Sequence, residues 1–330
     1  MIIALDSRRT IGKDRDVGAR SSRTQAKSAG SGKERLTKAS LMRMELFASP
    51  PEVAPYVTTF FRMRCDEKSI RDVQPTSLGM IVLMAKGEGH MRFLDGRREP
   101  SHRFMLVTPT TAASTFEIDG PCDSFGAMLS PFGWACLTGL SAAERANRMH
   151  PGAELLPRPL AMAAEDALER FDELEPPAMI AHLSAALLTS VGTVPPGHGE
   201  FIKAVADWLA GSLSPQLDDL LERVPYSARQ VQRLAERYFG LPPSRLARKY
   251  RALRAAVLLS RPVISDDEIA AVRDHFYDQS HMIREIRLFA GRTPARIADP
   301  DTPYLSGFMD LRDFRERGSR MAPIPADLRA

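Results

Sequence analysis

A chain of 330 residues suits about two domains at roughly 150 residues each, and its 44% hydrophobic content is enough for ordinary globular cores. A formal net charge of only +4 excludes a uniformly basic or acidic protein, so the distribution of charge carries more information than its sum. No run approaches the roughly 20 apolar residues that a membrane span needs, and the opening Met1–Asp6 is too short an apolar stretch for a signal peptide. The three cysteines, Cys65, Cys122 and Cys136, show no Cys-x-x-Cys spacing. They are expected to be reduced, buried thiols of a cytoplasmic protein.

Residues 1–44 are rich in Arg, Lys, Ser and Gly, with ten basic and four acidic residues by Lys38. They lack helical or strand periodicity and read as a disordered basic arm. From 45 to 155 the pattern becomes β-rich. Short apolar stretches, Gly79–Met84, Met91–Leu94 and Phe104–Val107, are separated by turn signals at Lys86–Gly89 and at Asp95-Gly96-Arg97, the latter a cue for a two-residue hairpin turn. Such spacing predicts an antiparallel sandwich or barrel. Met80, Met84, Met91, Met105 and Met128 are expected to fill its core rather than line a pocket. Glu88, His90 and His102 lack the close His-x-His spacing of a metal set, and neither a nucleophile elbow nor a phosphate-binding glycine pattern occurs. No metal, cofactor or catalytic residue is assigned, and the chain is not read as an enzyme.

After the Ser130–Gly133 turn and a short helix from Trp134 to Leu140, residues 156–192 predict a helical hairpin connector. Its helices cover Leu160–Leu174 and Pro177–Val191, with apolar residues at helical spacing. Residues 193–199 are Gly- and Pro-rich and read as the linker.

Residues 200–298 are densely helical. Phe201–Leu209 and Leu217–Val224 precede Ser227, which stands where an N-cap belongs. In the helix that follows, Val231, Leu234, Ala235 and Tyr238 share one face, and Arg229, Gln232, Arg233 and Glu236 lie mainly on the other. Gly240 closes it as a C-cap. A long stretch, Leu246–Leu259, carries Arg248, Lys249, Arg251 and Arg254 as a basic side. Between Ser227 and Arg261 nine Lys/Arg face one acid, Glu236, a local excess expected of a surface that meets phosphates. Ser265–Glu268 caps a helix running to Arg273. Asp278 caps a final one with Met282, Ile286 and Phe289 inward, and residues 299–330 follow as a tail. A short helix, a tight turn and a capped Arg/Gln helix form a helix-turn-helix pattern, and Arg and Gln pair bidentately with guanine and adenine in the major groove.

The stretches Ser227-x-Arg229-x-Val231-Gln232-Arg233, Gly240-Leu241-Pro242-Pro243, Arg251-x-x-x-Ala255 and, above all, Phe276–Pro294 resemble the DNA-binding domain of AraC/XylS-type transcriptional regulators. The resemblance implies an α+β multidomain protein, with a β-rich sensing or dimerisation domain (a cupin-like sandwich or barrel) ahead of an all-α double helix-turn-helix domain. It implies two recognition helices entering successive major-groove segments about one helical turn apart. Base contacts then fall on Arg229, Gln232 and Arg233 in the first unit and on Gln279, Ser280 and Arg284 in the second; Ser227, His281 and Arg251 are expected at phosphates. Double-stranded DNA is the expected partner, with a small-molecule effector, RNA polymerase and a second copy of the chain as further ones. The segment Phe125–Gly133 carries a fainter likeness to the β-rich domains of relatives.

Two positions depart from the pattern. His275 stands where the family has a Gly before the Phe, a residue that eases a tight turn, whereas His enters left-handed backbone only at a cost. The Ile-Ala pair ahead of it is displaced by one residue: either Ile269-Ala270 or Ala270-Ala271 takes its place. These departures prompt the alternative of a degenerate second unit acting as a partner-binding module. A cupin-type enzyme with a DNA-binding appendage is the third reading.

Overall fold

The structure, a computed structural model, describes residues 42–261, 264–297 and 304–305. The predicted basic arm lies outside these up to residue 41, and so does the predicted tail apart from Tyr304 and Leu305. Among the described residues eight strands form one sheet: β1 (Met42–Ala48), β2 (Val57–Cys65), β3 (Ser69–Gln74), β4 (Met80–Arg92), β5 (Arg98–Pro100), β6 (Phe104–Val107), β7 (Ser114–Leu129) and β8 (Met149–Pro151). The β region thus begins at Met42, slightly ahead of the expected 45. The strand order is β1-β2-β7-β4-β6-β8, with β3 added on β7 and β5 on β4. Every pairing is antiparallel.

The helices are α1 (Pro131–Thr138), α2 (Gly152–Leu155), α3 (Arg158–Glu169), α4 (Pro176–Ser190), α5 (His198–Ala210), α6 (Leu217–Arg223), α7 (Ala228–Phe239), α8 (Pro243–Leu259), α9 (Asp266–Arg273), α10 (Gln279–Ala290) and α11 (Pro294–Ile297). In the C-terminal region the expected and observed helices agree where caps mark the ends, whereas α3 stops at Glu169 instead of the expected Leu174, and α2 and α11 are additional. Ser227 and Ser265 each form a capping box, Asp278 accepts from the His281 amide, and Gly240 and Gly291 close α7 and α10 in left-handed conformation.

Successive side chains of a strand point to opposite faces, and here both faces are covered. Ile81 and Leu83 of β4 and Phe125 and Ala127 of β7 pack with Leu160, Ala164, Met179 and Leu183 of the α3–α4 hairpin. The hairpin expected as a connector therefore roofs one face of the sheet. The alternate residues Met80, Val82 and Met84 belong to a second core that continues into the helical C-terminal region. Burial on both faces is why β4 opens with an uninterrupted apolar run.

Three local expectations are corrected. Lys86–Gly89 is not a turn: β4 runs through it, with register shifts at Lys86 and Gly87 at φ 90°. A glycine in a strand marks a bulge as readily as a turn, and the long β7 edge keeps β4 paired on both sides of it. The hairpin at Asp95–Arg97 exists, but Arg92 pairs with Arg98, so its loop spans 93–97 rather than two residues, closed by Phe93 N–H to Arg97 O at 2.9 Å. Met80, Met84, Met91 and Met105 do not simply fill a core. They are buried in the second core as expected, and with Met63 and Met149 they also border a cavity of ≈ 80 Å³. Met128 is buried as expected, and the three cysteines are buried free thiols.

The last carbonyls of any α-helix have no partner within the helix. In α10 those of Leu288 and Phe289 accept from Ala113 N–H and Thr76 N–H, both at 2.8 Å, and the Thr76 hydroxyl adds a second bond to Phe289 at 2.8 Å. In α7 those of Glu236 and Arg237 accept from Ala143 N–H at 3.1 Å and Ala142 N–H at 2.7 Å. Both helices therefore end against the N-terminal domain. At one of these ends Gly291, at φ +86°, lies so close that an added Cβ would meet Val73 Cγ1 at 2.2 Å and Ala113 Cβ at 3.0 Å. Gly291→Ala should cost about 1 kcal/mol for the left-handed backbone alone, plus the displacement of Val73. The expected outcome is a lower thermal midpoint together with faster hydrogen exchange at the Thr76 and Ala113 amides; unchanged exchange at those two amides would show that the seam tolerates the methyl group.

Candidate nucleic-acid interface

The first candidate reading helix, α7, is held by Val231, Leu234, Ala235, Tyr238 and Phe239, all buried. Arg229, Gln232 and Arg233 are exposed on the other side. Gln232 Nε2 reaches Glu236 Oε1 at 3.2 Å, while Arg229 and Arg233 make no ion pair with any described residue. Ser227 at the N-terminus is occupied in its capping box: its N–H donates to Gln230 Oε1 at 3.0 Å, and its Oγ accepts from Gln230 N–H at 3.4 Å. Tyr238 hydroxyl contacts His198 Nδ1 at 2.5 Å and fixes α5 against the back of α7. Desolvation, and then the nearby Arg237 and Arg233 charges, lower the pKa of His198.

The second candidate reading helix, α10, presents Gln279, Ser280 and Arg284 to solvent. Arg284 also borders a groove against Val73, Ala113 and Thr115 of the β region. Tyr277, just ahead of the Asp278 cap, is 93% exposed. The turn around His275 closes with His275 N–H to Val272 O at 3.3 Å and Phe276 N–H to Arg273 O at 2.9 Å. Among the described residues Asn147 is the one non-glycine residue at positive φ, so His275 needs no left-handed backbone. The displaced pair also resolves: Ile269 and Ala270 are half-buried and Ala271 is exposed, which selects Ile269-Ala270.

Sequence reasoning missed the group that joins the two units. Glu285, on the otherwise apolar face of α10, is 2% exposed. Its carboxylate receives Arg248 Nε at 2.5 Å and Arg251 Nη2 at 2.7 Å from α8, and His281 Nε2 lies 3.1 Å away. Arg251 also stacks on the Phe276 ring at 4.7 Å, and His281 meets the same ring edge-on. An acid four residues after His281, on a face otherwise apolar, was the available signal.

The basic side expected along α8 is accordingly turned inward. Arg254 is fully buried and donates to the carbonyls of Leu209 and, at 2.8 Å, Ser212. Lys249 is 2% exposed beside the Tyr250 ring. Half-buried Arg251 is committed to Glu285 and Phe276. Much of the local positive excess thus holds the domain together rather than facing outward.

Two capped helices with polar outer faces, joined by a long central helix through a buried ion cluster, have the arrangement of a double helix-turn-helix domain. The profile of the helix-turn-helix domain family matches residues 220–299. Compared with solved structures, the chain is similar to ToxT from Vibrio cholerae, at 11% identity over 76% of this chain and 97% of that one, TM-score 0.42. A second ToxT structure aligns at 9% identity over 82% and 99%, TM-score 0.42. The AraC-like transcriptional activator CuxR aligns at 13% identity over 65% and 81%, TM-score 0.29. No curated protein matches the chain. Residues 220–299 thus form a helix-turn-helix domain behind a β-rich N-terminal region.

Two outcomes follow from the buried charges. Glu285→Ala leaves Arg251 without its partner, and breaking such a buried pair costs about 3–5 kcal/mol; urea unfolding should show a loss of that order, and a change within about 0.5 kcal/mol would mean the cluster is not structural. Burial holds the Lys249 ammonium down at about 7, against an ordinary 10.5. Below pH 7 it is charged folded and unfolded, and its burial cost is fully felt. Between 7 and 10.5 the folded state sheds a proton that the unfolded chain keeps. Stability from this group therefore rises with pH across that window, by at most about 1.4 kcal/mol per unit. Urea midpoints compared at pH 6.5 and 8.5 should rise more for the native chain than for Lys249→Met.

Proposed function

We propose that the protein is a sequence-specific regulator whose helices α7 and α10 read successive major-groove segments of one duplex. The observation that carries this reading is the pairing of two exposed Arg/Gln faces on helices locked to one another through α8 and Glu285. Arg229, Gln232 and Arg233 read base edges in the first segment, and Gln279, Ser280 and Arg284 in the second. Ser227 and the exposed amides beside it meet a phosphate at the α7 N-terminus, where the helix dipole favours an anion. Tyr277 stands beside the corresponding end of α10, within reach of the other phosphate strand. Arg251 and His281, expected from the sequence at phosphates, are assigned instead to positioning α10 through Glu285.

The β-rich region supplies regulation. It caps the ends of both reading helices, so a signal that changes its shape changes which arrangement of those helices is favoured. A small effector, RNA polymerase and a second copy of the chain are the partners this reading expects besides DNA. The cytoplasm is its expected location, in keeping with the lack, among the described residues, of any helix long and apolar enough to cross a membrane.

Duplexes selected from a random pool test the assignment. Arg233→Ala should weaken binding to the selected duplex by about 1–3 kcal/mol while sparing binding to random duplex. Equal loss on both would move Arg233 to the phosphate contacts, and recovery of no preferred duplex would overturn sequence-specific reading.

A further inference from the structure

The wall of the pocket on the methionine face of the sheet includes a side chain from beyond the second helix-turn-helix unit. Tyr304 is buried in its wall, with its ring edge-on to Phe116 at 5.0 Å between centroids. Its hydroxyl bonds to Gln74 Oε1, and its N–H donates to Asp72 Oδ2 at 3.0 Å. Asp72 is 2% exposed, and desolvation pushes its carboxyl up to about 6. Such a group is costly to bury unless its oxygens are occupied; Val73 N–H takes the other at 2.7 Å. Leu305 is fully buried beside it.

We infer that Tyr304 is an internal ligand of this pocket, and that a neutral, apolar small molecule bearing one aromatic hydroxyl competes with it for Gln74 and Phe116. The inference rests on the reading of the β-rich region as the regulatory domain and names its ligand class. The wall chemistry supports that class. The other lining groups are chiefly methionines, whose unbranched thioethers adapt to differing shapes and favour contact with aromatic rings, and aliphatic or aromatic side chains, with His90, Ser101 and Ser124 as the further polar groups. Among the described residues neither Lys nor Arg lines the pocket, and its one histidine, His90, already lies 3.8 Å from Glu117, so a carboxylate would have to compete with that acid. A phenol brings the donor that Gln74 Oε1 now receives from Tyr304.

Strand β3 carries the consequence to the DNA-binding domain. Asp72 and Gln74, which clasp Tyr304, lie two to four residues before Thr76, whose amide and hydroxyl cap the α10 carbonyl of Phe289. Displacing Tyr304 frees the clasp on the strand that ends at this cap, and so loosens the seat of the second reading helix.

The test uses the full chain and p-cresol, the Tyr side chain as a free molecule. With Tyr304 bound, only the fraction of molecules with an open pocket can take the ligand, which lowers apparent affinity by that fraction. Calorimetric titration should show p-cresol binding Tyr304→Ala about tenfold or more tighter than the native chain. Tyr304→Phe, which keeps the ring and loses only the hydroxyl bond to Gln74, should fall between them and carries the test if the Ala variant does not fold. Toluene should bind the variant more weakly than p-cresol, and 4-methylbenzoate more weakly still. Equal p-cresol affinity in the native chain and the folded variants, or binding to none of them, overturns the inference; a preference for 4-methylbenzoate overturns the ligand class. Hydrogen exchange at the Thr76 and Ala113 amides of the native chain should quicken on saturation with p-cresol, and unchanged rates overturn the link to α10. None of these readouts involves DNA, so their failure is distinct from failure of the duplex test on Arg233.

Discussion

The ends of two helices set the logic of this molecule. A helix leaves its last carbonyls unsatisfied, and in α7 and α10 several of them are satisfied by amides of the N-terminal region: Ala142 and Ala143 for the first, Thr76 and Ala113 for the second. The same two helices carry the exposed Arg and Gln side chains. Their orientation is therefore not a property of the helical domain alone. It depends on backbone geometry in the segments that edge the β sheet.

Within the helical domain, Glu285 plays the complementary part. A carboxylate buried this deeply is tolerated only when its oxygens are matched by cations, and Arg248 and Arg251 provide them from α8. The pairing obliges α10 to lie at one place along α8. Since α7 leads into α8 through the Gly240 cap, the relative setting of the reading helices follows. Arg254, buried against the carbonyls of Leu209 and Ser212, similarly anchors the start of the domain to its central helix. Charge that looks like a DNA-facing stripe in the linear sequence is largely internal mortar.

Much of this was legible beforehand, and the reasons are local. Serines 227 and 265, Asp278 and glycines 240 and 291 mark helix ends because their side chains, or the lack of one, act on backbone groups within a turn or two. The Arg/Gln face of α7 and the Phe276–Pro294 stretch could be placed on the same grounds. His275 looked like a defect because glycine is the residue that relaxes a tight turn, yet this turn closes without left-handed backbone. Lys86–Gly89 looked like a turn because a glycine pair signals a break in any strand whose partner is unknown; only the long β7 edge shows that β4 continues past it.

The sequence by itself determined the caps, the periodicities and the helix-turn-helix pattern of the C-terminal domain, because each depends on neighbours within about one helical turn or one strand repeat. Tertiary structure alone decided three things: that methionines 80, 84, 91 and 105 line a pocket, that Arg251 serves Glu285, and that Tyr304 sits between Gln74 and Phe116. Each depends on what faces a side chain from residues far away in the chain. Alternation says which face a residue occupies, but not what stands opposite it, and the energy of a buried charge or an unfilled space is set by that opposing group.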